Sequence, residues 1–529
     1  MNPKARFWLV FSALLLLAWS ARFIQDDAFI SFRYAENLVR GEGLVFNPGE
    51  RVAGFTNLLW TILIAFGIRV GFDPIGFSWA LGLLSFGASL IGCFRLGQRL
   101  FSDDGRALMG MVVVGTNFSF LSYATGGLET QLQAALFIWG TEVFFAISKE
   151  GWESPESLLG LSAILAAGFL TRPDSGLWCA LIWVHVAIRL LREGRFVRLG
   201  WFSALFFGTV AGWMAGMQWF YGDPLPNTFY TKVGTNPSLV VGFHFVYAFF
   251  LSYLLFFHFF LALSVAPWER YTREWTGPRS LLLQFILLWV AFVVKVGGDF
   301  MEFRFMVPVW PFMALLFCSV IFDHVSDEKL RRAFLTLFFI GSIHHAVAWG
   351  LTITNYGIQG TAELHEYVSP SGEDWSGIGK FLGSAFGGEP GFRISTTPAG
   401  AIPFYSKLET IDMLGLNDRW VARNGVIEGL MPGHQRRATL PYLVERSVTL
   451  VIGDPWLAKP EEIPAQVVRE DFKRMFLPVS PTDTFPGDAV MVAIPVRKDR
   501  VMICLYLNRH PAMERMIARE GWKTIPIRP

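Results

Sequence analysis

Two carboxylates, Asp26 and Asp27, stand side by side in QDDAFISFRYAENLVRG at residues 25–41, directly after the first apolar run of the chain. Adjacent carboxylates repel, so one of them is expected to hold its proton more tightly than usual. Either could take a proton from an attacking hydroxyl or help hold a divalent cation. The plain alternative is a pair that marks the end of a membrane span and sits in solvent. The same stretch carries Arg33 and Tyr34, and its apolar spacing is that of an amphipathic helix lying on a membrane interface. GGDFMEFRF at 297–305 sets Asp299, Glu302 and Arg304 between two apolar runs. Arg304 could clamp a phosphate there, while Asp299 or Glu302 pairs with it or binds a sugar hydroxyl. TRPDS at 171–175 places Arg172 and Asp174 at a break where Pro173 denies a helical hydrogen bond, and broken helices at membrane depth line cavities. In YGDPLPNTFYTKVG at 221–234, two prolines are expected to keep the chain extended and present Asn227, Tyr230 and Lys232, the last a second phosphate candidate. The ordinary reading of these groups is a salt bridge at a helix end or a surface lysine.

The scaffold for such groups follows from composition. A chain of 529 residues with 53% hydrophobic residues, 51 Phe, 20 Trp and only 17% charged residues is too apolar for a soluble domain of that size, and reads as a polytopic membrane protein. A net charge of +2, spread over short loops, gives no basic patch for nucleic acid. Cys93, Cys179 and Cys318 fall in apolar segments and Cys504 in a polar one, so no disulfide or metal framework is legible. Candidate spans lie near 7–23, 75–94, 107–123, 128–147, 157–172, 176–191, 200–220, 239–263, 280–297, 305–322 and 333–351. The first reads as an uncleaved anchor rather than a signal peptide. The short apolar stretch 57–70 decides the topology. If it does not cross, Lys4, Arg6, Arg95, Arg99, Arg106, Arg189, Arg192, Arg195, Arg198, Arg270, Arg273, Arg279, Lys329, Arg331 and Arg332 all fall in loops on one side, which the positive-inside rule makes cytoplasmic. The expectation is therefore about eleven spans, with 57–70 juxtamembrane or re-entrant. The candidate chemical residues and everything after 351 then share the outer side.

Residues 352–529 regain Gly, Pro and charge. FRIST (392–396), TIDML (410–414), TLVIG (449–453) and AVMVAIPV (489–496) read as strands, with IPFYSKL and LPYLVERS as helical segments between them. The expected fold class is mostly α: a transmembrane helical bundle over 1–351 and an extracytoplasmic α/β domain with a largely parallel sheet over 352–529. GxxxxGK[ST], HExxH and paired CxxC motifs are absent, so an ATP-driven machine, a zincin protease and a structural zinc site lack support. His344 and His345 lie in an apolar helix and are expected to face helix neighbours.

With these residues laid out, the chain resembles the membrane glycosyltransferases of the C superfamily, and within it the terminal arabinofuranosyltransferase group. The matching blocks are DDAFISFRYAENLVRGEGLVFNPGERV and GFTNLLW with Asn57, GGLET at 126–130 with Glu129, TRPD, YGDPLPNTFYTKVG, GGDFMEFRFMVPVWP, TPAGAIPFYSKLETIDMLGLND at 397–418, and PGH at 432–434 with His434. Ala53 stands where the pattern usually has an acidic residue, and Asp174 where Glu is common. The resemblance implies a glycosyltransferase C type bundle with a catalytic base at Asp26 or Asp27. It implies transfer of a sugar, arabinofuranose by the nearest group, from a polyprenyl-phosphate donor to a cell-envelope glycan or lipopolysaccharide on the outer face of a bacterial plasma membrane, with no nucleotide. Arg33, Tyr34, Asn57, Glu129, Arg172, Asp174, Asn227, Tyr230, Lys232, Asp299, Glu302, Arg304 and His434 are its expected substrate-binding residues. Two other classes stay open on the sequence: a transporter or flippase, which should keep polar residues mid-span, and a non-catalytic polysaccharide-assembly protein.

Overall fold

The structure, a computed structural model, describes residues 2–101, 103–232, 238–352, 357–429 and 433–528. The end of YGDPLPNTFYTKVG and the proline of PGH lie outside these residues.

The amino-terminal two thirds is helical. It opens with α1 (Pro3–Ser20), α2 (Asp26–Val39), α3 (Leu58–Arg69), α4 (Pro74–Phe101) and α5 (Asp104–Gly115). Longer helices follow at Thr130–Glu150, Pro155–Thr171, Gly176–Arg192, Phe196–Tyr221, Pro278–Val296, Trp310–His324 and Glu328–Thr352. Each expected span falls on a helix or a broken pair. Among the described residues, four are long and apolar enough to cross a membrane unaided: Pro74–Phe101, Pro173–Arg192, Phe196–Tyr221 and Pro278–Val296. The expected straight span 239–263 is instead Leu239–Ser252 and Leu255–Val265, bent by 93°. Between them Leu254 takes a left-handed conformation, with φ 55°. The expected span 107–123 also breaks, because Asn117 caps a new turn by accepting from the Phe120 N–H at 3.0 Å.

The stretch 57–70 forms α3, one of the apolar helices shorter than a full span. A helix of 12 residues rises only about 18 Å against a hydrocarbon core of about 30 Å. Its first turn meets α2 and Glu129 through Asn57, and the start of α4 returns to the same end, where Trp79 Nε1 donates to the Phe23 carbonyl at 3.0 Å. Its apolar Ile62 and Phe66 face outward. At the far end of the bundle the basic loops are tied by ion pairs, Arg99 to Glu142 at 2.6 Å and Arg279 to Asp323 at 2.6 Å.

The α2 helix is not an interfacial helix. Nine of its 14 residues are buried, on polar and apolar faces alike, because its polar face is hydrogen-bonded to residues 397–418 instead of to lipid headgroups.

That carboxy-terminal region contains a six-stranded sheet. Its order is Glu409–Asp412, Arg393–Thr396, Leu450–Ala458, Arg500–Tyr506, Val490–Arg497, Lys523–Ile525. Only the first two pairings are parallel and the other three are antiparallel, which corrects the expected largely parallel sheet. The difference comes from Arg500–Tyr506, a strand missed in the sequence. It folds back on Val490–Arg497 through Lys498 and Asp499, so no helical crossover is needed. Cys504 lies on this buried strand rather than in a polar segment. Strand alternation divides the interior: Val492, Ile494, Met502 and Cys504 pack with Leu382 and Met513 on one face, while Met491, Ala493, Ile503 and Leu505 pack with Leu443 and Phe472 on the other.

The sorting of loops predicts sidedness. Cysteines placed at the exposed Glu42 and Ser371 are expected to react with an impermeant maleimide from one face of sealed vesicles, and one at Asp327 only from the other. Equal labelling of Glu42 and Asp327 from one face would mean that α3 crosses.

Candidate functional site

Between the bundle end and the sheet lies a cavity of about 480 Å³, and both carboxylates of the opening motif line it. Successive residues on a helix point about 100° apart, so the two face different partners. Asp26 accepts from the backbone N–H of Gly400 at 2.9 Å and of Ala401 at 2.7 Å. It thereby joins α2 to the start of the short helix Ala401–Ser406. Burial pushes its carboxyl up to about 7, opposed by the Ala401 N–H, while the neighbouring Asp27 charge raises it further.

Asp27 has no hydrogen-bond donor on its carboxylate among the described residues. Burial raises its pKa above the ordinary carboxylate value, and Lys232 and Arg304 pull it back down. The expectation that a carboxylate of this pair has elevated proton affinity holds for both members.

Behind Asp27 the cations are held in fixed positions. Arg304 donates from Nε to Asp299 Oδ2 at 2.7 Å, and its Nη2 lies 2.7 Å from the same oxygen. Arg172 donates from Nη1 to Glu129 Oε1 at 2.7 Å and from Nη2 to Asp174 Oδ2 at 2.6 Å. The two guanidiniums flank one ring, 5.4 and 5.5 Å from the centroid of Phe305. Gln133 steadies Asp174 at 2.7 Å, and Asn57 donates to Glu129 Oε2 at 2.7 Å. Lys232 lines the cavity, and burial lowers its pKa, with the Arg304 charge acting in the same direction. It is the last residue of the short helix Asn227–Lys232, so the expected extended loop is helical at this point. His434 lines the opposite wall, its ring 4.5 Å from that of Phe300.

Other expected substrate ligands are structural ties. Arg33 is buried, donates to the carbonyls of Phe46 at 2.7 Å and Leu408 at 2.8 Å, and also reaches the Pro403 carbonyl. Tyr34 donates to Asn417 Oδ1 at 3.1 Å, and Asn417 donates in turn to Asp412 at 3.0 Å. Asn227 clips the 415–418 turn through the carbonyls of Gly415 at 2.7 Å and Asp418 at 3.1 Å. Tyr230 donates to Asp223 at 2.9 Å under the Arg423 guanidinium. Glu302 is buried away from Arg304, bonded to His345 Nε2 at 2.6 Å and accepting from the Thr361 N–H at 2.7 Å. Of the two partners the sequence offers for Arg304, Asp299 holds it and Glu302 does not. The backbone of Ala53 accepts from the Asn227 N–H at 2.8 Å, so this departure from the family pattern still lies on the same seam.

The cavity also recruits residues that the sequence did not single out. Gln25 is buried beside Asp26, and neither of its side-chain amide atoms has a hydrogen-bond partner among the described residues. Tyr367 and Trp375 stack at 4.6 Å, and Asp454, raised by burial to about 6, lies near them. A polar residue directly after the TLVIG strand was the available signal for Asp454. Among the described residues, no group of three His, Cys, Asp or Glu gathers as a metal site.

Asp26, Asp27 and Lys232 thus line one cavity at the end of the helical bundle, and the paired Arg172 and Arg304 lie outside its lining. The chain belongs to the Alg9-like mannosyltransferase family, a membrane glycosyltransferase family whose model matches residues 83–367. A domain of unknown function matches residues 362–493. The chain is 28% identical over 348 residues to a terminal β-(1→2)-arabinofuranosyltransferase of Corynebacterium glutamicum, covering 59% of this chain and 49% of that protein. It is 29% identical over 211 residues to the protein of that name from Mycobacterium tuberculosis, covering 36% and 33%. The chain thus spans half or less of the curated relatives it matches. In fold it is similar to ArnT from Cupriavidus metallidurans, solved bound to undecaprenyl phosphate, with a TM-score of 0.54 at 12% identity over 95% of this chain and 97% of that one. The apo form gives 0.52.

The Asp26 contact carries a pH signature. Its folded pKa lies above the ordinary 3.8, so the folded state loses stability as pH rises from that value through about 7. The thermal midpoint of wild type minus that of Asp26→Asn is expected to fall over this window. A difference independent of pH would show that Asp26 does not titrate in the contact.

Proposed function

We propose that this chain transfers a sugar from a polyprenyl-phosphate carrier to a hydroxyl of a cell-envelope glycan, on the outer face of a bacterial plasma membrane. The observation that carries this reading is Asp27: a carboxylate with no donor among the described residues, on a cavity wall, in the field of Lys232 and Arg304. Asp27 takes the proton of the attacking acceptor hydroxyl as that oxygen forms the bond to the anomeric carbon. The polyprenyl phosphate leaves with the electron pair of the broken bond. Arg304 and Lys232, with Arg172 behind them, stabilise the phosphate as its charge grows. The sugar ester is already activated, so no nucleotide is needed. Support for a lipid-phosphate donor comes from the undecaprenyl phosphate held by the similarly folded ArnT. Support for arabinofuranose comes from the named activity of the two relatives. The membrane bundle 1–351 supplies the donor side and residues 352–529 the extracytoplasmic acceptor side. The basic loops face the cytoplasm. A flippase reading is disfavoured because the polar groups cluster at one end of the bundle rather than midway along it.

Asp27→Asn is expected to cut transfer from a radiolabelled polyprenyl-phosphate sugar by about 100-fold to 10,000-fold, with folded protein still abundant. The pH profile supplies a second readout: a base must be deprotonated, so acceptor kcat/KM should fall as pH drops, along a limb above the ordinary 3.8 that persists in Asp26→Asn. Near-normal turnover by Asp27→Asn would exclude it as the base.

Arg304 has a structural partner, so both members must be removed together. Asp299→Asn with Arg304→Met should weaken donor use by about 2 to 5 kcal/mol with little change in thermal midpoint. An unchanged donor KM would confine Arg304 to holding its loop.

A further inference from the structure

The cavity at Asp27 does not end at its far wall. A second cavity of about 650 Å³ opens beyond it, and Gly429, Arg437 and Phe476 line both. The two cavities share these three residues as a common wall, which forms a waist between them.

Two features of the waist suit a ligand. Arg437 is 5% exposed, yet the hydrogen bonds from its guanidinium to protein are made by Nη1 alone, to the carbonyls of His434 and Arg436. Nε and Nη2 have no hydrogen-bond acceptor among the described residues. Phe476 holds a left-handed backbone, φ 53° and ψ 30°, which a phenylalanine adopts only at a cost. Its ring is 40% exposed while its other neighbours in that turn, Met475 and Leu477, are buried. The Arg437 guanidinium lies 4.5 Å from the centroid of that ring. A strained turn that presents an apolar ring at the wall shared by two cavities, beside a buried guanidinium whose Nε and Nη2 meet no acceptor among the described residues, suits a sugar: the ring takes the C–H face and the guanidinium takes ring hydroxyls or the linking oxygen. Beyond the waist Thr439 and Lys473 continue a polar lining.

We propose that Arg437 and Phe476 form a distal subsite that grips an inner sugar of the acceptor, so that the enzyme reads an oligosaccharide chain and not only the residue it extends. This rests on the proposed transfer reaction. The acceptor end carrying the nucleophilic hydroxyl lies at Asp27. The chain behind it passes the waist and continues into the second cavity.

The test is a series of arabinofuranose oligomers of increasing length as acceptors for the full-length enzyme in lipid nanodiscs, with polyprenyl-phosphate arabinofuranose as donor. In wild type, kcat/KM should rise once the oligomer is long enough to pass the waist. Phe476→Gly removes the ring and relieves the strained backbone, so it should fold. It should erase the gain for long oligomers by roughly threefold to tenfold, acting on KM, and leave the shortest acceptor unchanged. Phe476→Tyr should retain the gain. An equal loss on short and long acceptors, or none on either, overturns the distal subsite. Transfer with no length dependence in wild type overturns it too while leaving the reaction standing, whereas no transfer to any acceptor removes the underlying reading and this inference with it.

Discussion

The architecture of the site depends on one close approach, the seat of Gly400 and Ala401 against Asp26. A Cβ at position 400 would come within 1.9 Å of the Asp26 carbonyl oxygen and 2.7 Å of its carboxyl carbon, so only glycine lets the two chains meet. A buried carboxylate is costly unless donors satisfy it, and here two backbone N–H groups do so. Once that contact is made, Arg33 and Tyr34 of α2 and Asn47 of the loop after it fall opposite the carboxy-terminal region: Arg33 at the Leu408 carbonyl, Tyr34 at the Asn417 side chain, Asn47 at the Thr410 carbonyl. The same seat sets the direction of Asp27. One residue further along the helix, its side chain turns toward the membrane bundle and its cations. Two identical side chains thus receive separate tasks from helical geometry alone.

The charges around Asp27 form a balanced set rather than a positive patch. Arg172 is shared between Glu129 and Asp174, and Arg304 is held by Asp299. Paired guanidiniums are held rigid under burial, at the cost of part of their field. Both guanidiniums lie within cation–π reach of the Phe305 ring, whose negative face potential eases the approach of two like charges. A phosphate entering this set meets donors already oriented, so little reorganisation accompanies binding.

Much of this was legible in the sequence because it depends on local pattern. Long apolar runs gave the helices, the distribution of Arg and Lys gave the sorting of loops, and the odd polar loops did gather at one end. What failed depended on partners distant in sequence. Nothing local separates Asp26 from Asp27; that needs Gly400, 374 residues away. Glu302 looked like a mate for Arg304 two positions on, but His345 and Thr361 claim it. The amphipathic pattern of α2 fits a membrane surface and a protein interface equally well, and only the polar backbone opposite it decides between them. The antiparallel half of the sheet escaped because Arg500–Tyr506 is buried on both faces, and its unbroken apolar run lacks the alternation that marks a half-buried strand.

The placement of Asp27 in the first turn of α2 also bears on how strong a base it would be in the proposed transfer. Burial alone would keep the carboxyl protonated, and a protonated group accepts nothing. Full exposure to Lys232, Arg304 and the positive end of the helix would hold it ionised but too weak to attract a proton from an alcohol. The two influences oppose each other here, and burial wins by a margin that leaves the pKa raised. The position therefore suits a group that must be ionised when the acceptor arrives and must still want a proton as the new bond forms. A donor phosphate bound to the same cations would take up part of their field and raise the proton affinity of Asp27 further, so donor binding itself would ready the base.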